Sequence, residues 1–176
     1  MEQQGLIKRV HGGAVEVSNM KQLSSLKIRN EEYSEEKKTL SMKAINSIEE
    51  GDIIFIDAGS KAIYFSQIIK EKFSRLTVVT NSLDVFNILC HQSDFDVILC
   101  GDHFKKEENA FYGYLAMSTL EKIHVQKVFV FPSAISMNFG ICDFQEDLYQ
   151  IQRLAIGNAD NVLVLADSSK FEKKLC

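Results

Sequence analysis

Apolar residues in this chain fall into short unbroken runs separated by longer stretches of mixed polarity. Ile53-Ile54-Phe55-Ile56, Leu76-Thr77-Val78-Val79-Thr80, Phe95-Asp96-Val97-Ile98-Leu99-Cys100, Lys127-Val128-Phe129-Val130-Phe131 and Asn161-Val162-Leu163-Val164-Leu165-Ala166 are rich in β-branched residues. Such runs read as strands buried on both faces, the pattern of a parallel sheet interior. Between them, apolar residues recur every three or four positions, as on one face of a helix. From about Glu31 to Glu50 one face carries Tyr33, Lys37, Leu40, Ala44, Ile45 and Ile48 at spacings of three to four, with Gly51 as the C-cap and Glu35, Glu36, Lys38 and Lys43 on the other face. A second helix runs from Ser60, read as its N-cap, to about Phe73, and a third carries Leu83, Phe86, Ile88 and Leu89. Leu115, Met117, Leu120 and Ile123 mark an amphipathic segment, and Leu148, Ile151, Leu154 and Ala155 a helix from about Gln145 to Asn158. Strands alternating with helices over short connections predict an α/β fold, Rossmann-like, with a parallel sheet and helices on both faces.

Three stretches lack a period. Residues 1–20 hold Gly5, Gly12 and Gly13 and read as a strand remnant and linker, with His11 an exposed loop residue; residues 21–176 then make up the folded domain. Lys105 to Asn109 is charged and reads as an exposed loop. Ser133 to Phe144, after the single proline Pro132, is irregular with a turn at Gly140.

Composition narrows the classes. With 176 residues, 45% hydrophobic and 25% charged, the chain has the profile of one globular domain. No apolar run approaches the roughly 20 residues of a membrane span, and no signal-peptide segment is seen, so a cytoplasmic protein with no membrane partner is expected. The net charge of −4 argues against direct nucleic-acid binding by this chain. The four cysteines show no C-x-x-C spacing, so neither a metal site nor a disulfide framework is expected, and Cys90 and Cys100 read as buried fillers.

Chemistry gathers where strands hand over to helices: Asp57-Ala58-Gly59-Ser60-Lys61, Thr80-Asn81-Ser82 and Gly101-Asp102-His103. In a parallel sheet these lie at one edge, the edge where open α/β sheets bind ligands. Free amides and the positive end of a helix dipole favour an anion there. Plain structural duties compete with that reading: Ser60 and Ser82 as caps, Asp57 bonded to a neighbouring loop.

The segments Arg9-Val10-His11-Gly12-Gly13-Ala14, Asp57-Ala58-Gly59-Ser60, Val78-Val79-Thr80-Asn81-Ser82 and Leu165-Ala166-Asp167-Ser168-Ser169-Lys170-Phe171, in this order, resemble the DeoR family of bacterial transcription regulators. The resemblance implies a sensor domain similar in fold to ribose-5-phosphate isomerase, glucosamine-6-phosphate deaminase and coenzyme A transferases. It implies that residues 1–20 follow a winged helix-turn-helix outside this chain, through which alone DNA is bound, and that the protein is a homo-oligomer, dimer or tetramer. The effector would be a phosphorylated sugar or related metabolite, with no cofactor. Its site would comprise Asp57, Gly59, Ser60 and Lys61 from the first loop, Thr80, Asn81 and Ser82 from the second, Gly101 and Asp102 from the third, and Lys170. Ser60 suits a phosphate, Asp57, Asn81 and Asp102 suit sugar hydroxyls, and Lys170 supplies positive charge. Lys61, Asp102, Ala134 and Cys142-Asp143 depart from the family's usual residues, implying a retained pocket with altered preference in which Lys61 offsets Asp102 by pairing with it. Two other classes are weighed: a sugar-phosphate isomerase or deaminase using Asp57, Asp102, Asp143 and His103 or His124, and an oligomerisation module with a dead pocket.

Overall fold

The computed structural model describes residues 7–10, 13–16, 33–143 and 145–171. In chain order its elements are β1 (Ile7–Val10), β2 (Gly13–Glu16), α1 (Ser34–Ala44), β3 (Ile53–Ile56), α2 (Ser60–Lys72), β4 (Leu76–Thr80), α3 (Leu83–Leu89), β5 (Phe95–Leu99), β6 (His103–Lys105), β7 (Ala110–Tyr112), α4 (Tyr114–Leu120), β8 (Val125–Val130), β9 (Ala134–Ser136), β10 (Gly140–Cys142), α5 (Glu146–Gly157) and β11 (Ala159–Val164). Short 3-10 turns, Ile45–Ser47 and Ser168–Lys170, follow α1 and β11.

The five predicted runs form one sheet in the order β11-β8-β3-β4-β5, with every neighbouring pair parallel. Successive side chains of a strand point to opposite faces, and β3 shows the result. Ile54 and Ile56 join a core with Ala62, Phe65 and Ile69 of α2 and Val85 and Leu89 of α3, while Phe55 joins a second core with Ala116 and Leu120 of α4 and Leu148, Ile151 and Ala155 of α5. Helices thus cover both faces, as the alternation predicts. The first core is sealed by aromatic contact: the Phe65 ring centroid lies 4.6 Å from that of Phe129 and 6.1 Å from that of Phe131.

The differences from expectation lie in the short elements. Residues 105–109 are not a free loop: Lys105 ends β6, and residues 106–109 are the turn of the antiparallel hairpin β6–β7, whose Ala110 bridges to Ser82. Residues 134–142 form a second antiparallel hairpin, β9–β10, with Gly140 at φ 74°. Ile7–Val10 and Gly13–Glu16 pair as a third, so the linker stretch contains a hairpin; His11, between its strands, lies outside the described residues. α1 ends at Ala44, well before Gly51, which instead turns the chain into β3 with φ 86°. On α4 the buried pair is Ala116 and Leu120, while Leu115, read as apolar-face, is 61% exposed. Cys100 is buried as expected and Cys90 half-buried, but Cys142 is engaged in a disulfide.

Candidate functional site

Because the five strands are parallel, the residues after β3, β4, β5, β8 and β11 share one edge of the sheet. Asp57 follows β3, the central strand, and is wholly buried. Its carboxylate accepts from the Ala58 amide and from Gln152 Nε2 of α5, both at 2.8 Å. Burial raises its pKa to about 7, and the nearby Asp143 charge adds to the rise, while the bonds from Gln152, Ala58 and the Phe131 backbone oppose it. Asp143 is itself held, accepting from the Ser133 hydroxyl at 2.7 Å and the Gln145 amide at 3.1 Å.

Gly59, not Ser60, is the N-cap of α2. Its φ of 143° is open to glycine and strained for other residues, although a Cβ would meet only Phe131 Cβ, at 3.7 Å. Ser60 is therefore the first helical residue, and among the described residues no side chain caps the start of α2. A 13-residue helix beginning without a side-chain cap at this edge directs its first amides, those of Ser60 and Lys61, at whatever lies beyond the strand tips, while the Ala62 amide donates to the Gly59 carbonyl at 3.1 Å. Lys61, buried, extends to Asp167 beyond β11, with Nζ 2.9 Å from Oδ2. The expected pairing of Lys61 with Asp102 is not what the fold makes. Desolvation works against the Asp167 charge, yet bonds from Ser169 and Lys61 and the charges of Lys61 and Lys170 outweigh it and bring its pKa down to about 2.

The second loop is largely occupied with holding the fold. Thr80 Oγ1 donates to the Ile56 carbonyl at 2.7 Å and accepts from the Ser82 amide at 3.0 Å, tying the tips of β3 and β4. Ser82 Oγ caps α3 by accepting from the Val85 amide at 3.3 Å. Asn81 Nδ2 donates to the Phe111 carbonyl at 3.2 Å, anchoring the β6–β7 hairpin, but its Oδ1 is buried with no hydrogen-bond partner among the described residues.

The third loop corrects the expectation most. Asp102 is turned toward α4, where Oδ2 accepts from the Leu115 amide at 2.6 Å. Gly113 makes this possible: its φ is 121° and a Cβ there would stand 2.5 Å from Asp102 Oδ2. The Asp102 carboxylate thus serves as a helix cap, and Gly101 is exposed beside it. His103, offered for catalysis, lies 3.8 Å from Asp102 with an 89% exposed side chain, and His124 pairs with the exposed Asp160 at 2.9 Å.

The fold therefore brings Asp57, Gly59, Ser60, Lys61, Thr80, Asn81 and Ser82 to adjoining tips. It sets Lys170 on the turn beyond β11 and diverts Asp102. Gln152 escaped notice in the sequence. Its one trace there is a polar residue inside an apolar stripe, next to Ile151 and between Leu148 and Ala155.

The fold class this defines is shared with sugar-phosphate enzymes and translation factors. Similar solved structures include a ribose 5-phosphate isomerase A from Methanocaldococcus jannaschii (TM-score 0.57, 15% identity, 81% of this chain and 56% of that one). The eIF2B delta of Chaetomium thermophilum is another (TM-score 0.57, 17% identity, 84% and 53%). This chain spans little more than half the length of either, and at such identity the likeness is one of fold.

Family membership is more specific. The family model "DeoR C terminal sensor domain" matches residues 32–176, and the chain belongs to that family. It is 34% identical over 98% of its length to the lactose phosphotransferase system repressor of Lactococcus lactis subsp. lactis, covering 68% of that protein. It is 31% identical over 96% of its length to the L-fucose operon activator of Haemophilus influenzae, covering 67%. The chain is the sensor domain of a DeoR-type transcriptional regulator.

Proposed function

We propose that the tips of β3 and β4, with the turn beyond β11, receive a phosphorylated sugar or a related small metabolite, and that occupancy alters operator binding by the regulator's DNA-binding part. The carrying observation is the uncapped amino end of α2, set beside the buried Asp57. A phosphate would accept from the leading amides of α2 and the Ser60 hydroxyl, with Lys170 contributing charge. Asn81 Oδ1, without a partner among the described residues, is an acceptor in want of a hydroxyl donor, which a sugar offers in abundance. The relatives named for lactose and fucose systems support a sugar-derived ligand. One of them is a repressor and the other an activator, so the sign of regulation differs within the family. The working unit in this reading is a cytoplasmic homo-oligomer; among the described residues no helix is long and apolar enough to cross a membrane.

The reading also holds that the domain senses and does not catalyse. Isomerisation of a sugar phosphate needs an acid and a base free to reach the sugar carbonyl. Asp57 is held by Gln152 and Ala58, Asp102 by α4, and Asp143 by Ser133 and Gln145, so these carboxylates serve the fold.

The test is a thermal-shift panel of pentose and hexosamine phosphates and their unphosphorylated parents. A ligand present at a hundredfold its dissociation constant stabilises the fold by about 2.7 kcal/mol, a shift of a few degrees for a domain of this size. Phosphorylated members are expected to shift the transition, and Ser60→Glu to abolish the shift without changing the far-UV spectrum. A shift that survives Ser60→Glu, or turnover of any member, overturns the reading.

A further inference from the structure

Lys61 stands where helix electrostatics disfavours it. It is the second residue of α2, so its ammonium is attached at the positive end of the helix dipole. Its side chain is only 7% exposed, and a buried ammonium needs a close counter-charge. Asp167 is that partner, with a side chain 20% exposed. Asp167 in turn caps the 3-10 turn Ser168–Lys170: its Oδ1 accepts from the Ser169 amide at 3.0 Å and from the Ser169 hydroxyl, and its carbonyl accepts from the Lys170 amide at 3.0 Å. The far side of the same turn is tied to β9 by the Ile135–Phe171 bridge. In the sheet β8 separates β3 from β11, so the Lys61–Asp167 contact spans the tip of an intervening strand. The carboxylate that Lys61 grips is thus the one that fixes the turn carrying Lys170.

We propose that Lys61 is a positioning residue of the effector site: acting through Asp167, it holds the Ser168–Lys170 turn and thereby sets where the Lys170 ammonium stands relative to the amino end of α2. This rests on the effector reading above. A direct contact between Lys61 and the ligand is the rival role, and it gives a different pattern of variants.

Inorganic phosphate and ribose 5-phosphate, with any phosphorylated compound that shifts the wild-type transition, are titrated calorimetrically. The chains compared are wild type, Lys61→Met, Lys61→Arg, Asp167→Asn, Lys170→Ala and the pairwise combinations. Hydrogen exchange of the Ser169 and Lys170 amides is followed in the same proteins without ligand. Lys61→Met and Asp167→Asn are each expected to weaken binding about tenfold, and their combination, which leaves no orphaned charge, to be no worse than either alone. Lys61→Arg keeps a cation for Asp167 and retains affinity to within about threefold. On the Lys170→Ala background Lys61→Met costs nothing more. Exchange at Ser169 and Lys170 quickens in Lys61→Met and Asp167→Asn and stays slow in Lys170→Ala. Additive loss in Lys61→Met/Lys170→Ala, or unchanged exchange in Lys61→Met, overturns the positioning role while leaving the effector site standing. Failure of every phosphorylated compound to bind wild type overturns the effector reading and this proposal with it, even where the exchange rates move as expected.

Discussion

Two aspartates at the same sheet edge are driven in opposite directions by their surroundings. Asp57, buried, has its pKa raised from 3.8 to about 7, so the folded state keeps that proton to higher pH than the unfolded chain does. Its contribution to stability is therefore best below about pH 4 and is lost as pH rises toward 7, by a few kcal/mol in all. Asp167 has its pKa lowered to about 2, so its contribution is present above about pH 4 and is lost as pH falls toward 2. Asp57→Asn is expected to flatten the stability profile between pH 4 and 7 relative to wild type, measured by urea denaturation at pH 4, 5.5 and 7.5. The neutral amide keeps an acceptor for Ala58, and Gln152 can meet it after an amide flip. Should wild type instead gain on the variant as pH rises, the Asp57 charge is stabilised by the site and the assigned balance is wrong. The same two residues mark what could be read locally. Asp57 and Ser60 were legible as a strand-to-helix handover, whereas the grip of Gln152 on Asp57 joins residues 95 positions apart and leaves no local pattern.

The sheet strands and most helices were legible because burial enforces their pattern, an unbroken apolar run in a strand covered on both faces and a 3.6 period in a helix. α2, α3 and α5 and the five sheet strands match expectation to within about two residues, the usual scatter at element ends. The short hairpins β6–β7 and β9–β10 were not, since strands of three residues offer no run long enough to display alternation. Their presence changes the meaning of the third loop. Asp102 and Gly113 flank β6–β7, and the carboxylate of one serves the helix opened by the other. Asp102→Ala is expected to destabilise the domain by about 1–2 kcal/mol, as loss of a helix cap does, while leaving phosphate affinity at α2 within twofold. Gly113→Ala places a Cβ into the Asp102 carboxylate and forces a strained φ, at a cost of roughly 1–3 kcal/mol. Chemical denaturation of both variants checks this, and a fall in affinity with Asp102→Ala would return that carboxylate to the effector site.

Across the molecule, one sheet separates two cores, and the candidate site sits at the edge where both end. Phe65 is buried on the α2 side, in contact with Phe129 and near Phe131, whose Cβ lies beneath Gly59. Phe65→Ala is expected to cost about 3–5 kcal/mol through lost contact and a residual cavity. It should also lower phosphate affinity, because the amino end of α2 rests on that packing. Calorimetric melting with and without ligand separates the two effects, and unchanged affinity in the folded variant would show that the site is held independently of this core.

The pattern along the chain was enough to determine the α/β class, the strands, most of the helices and the placing of Asp57, Ser60 and Asn81 at strand tips, because a strand buried on both faces shows as an unbroken apolar run and a half-buried helix as a 3.6 period. Tertiary structure alone decided the partners: Lys61 to Asp167 and not Asp102, Asp102 to α4, Gln152 to Asp57, Asn81 to the β6–β7 hairpin. A hydrogen bond or ion pair is chosen by which groups come within about 3 Å and lose their water, and that depends on how distant segments are stacked in space.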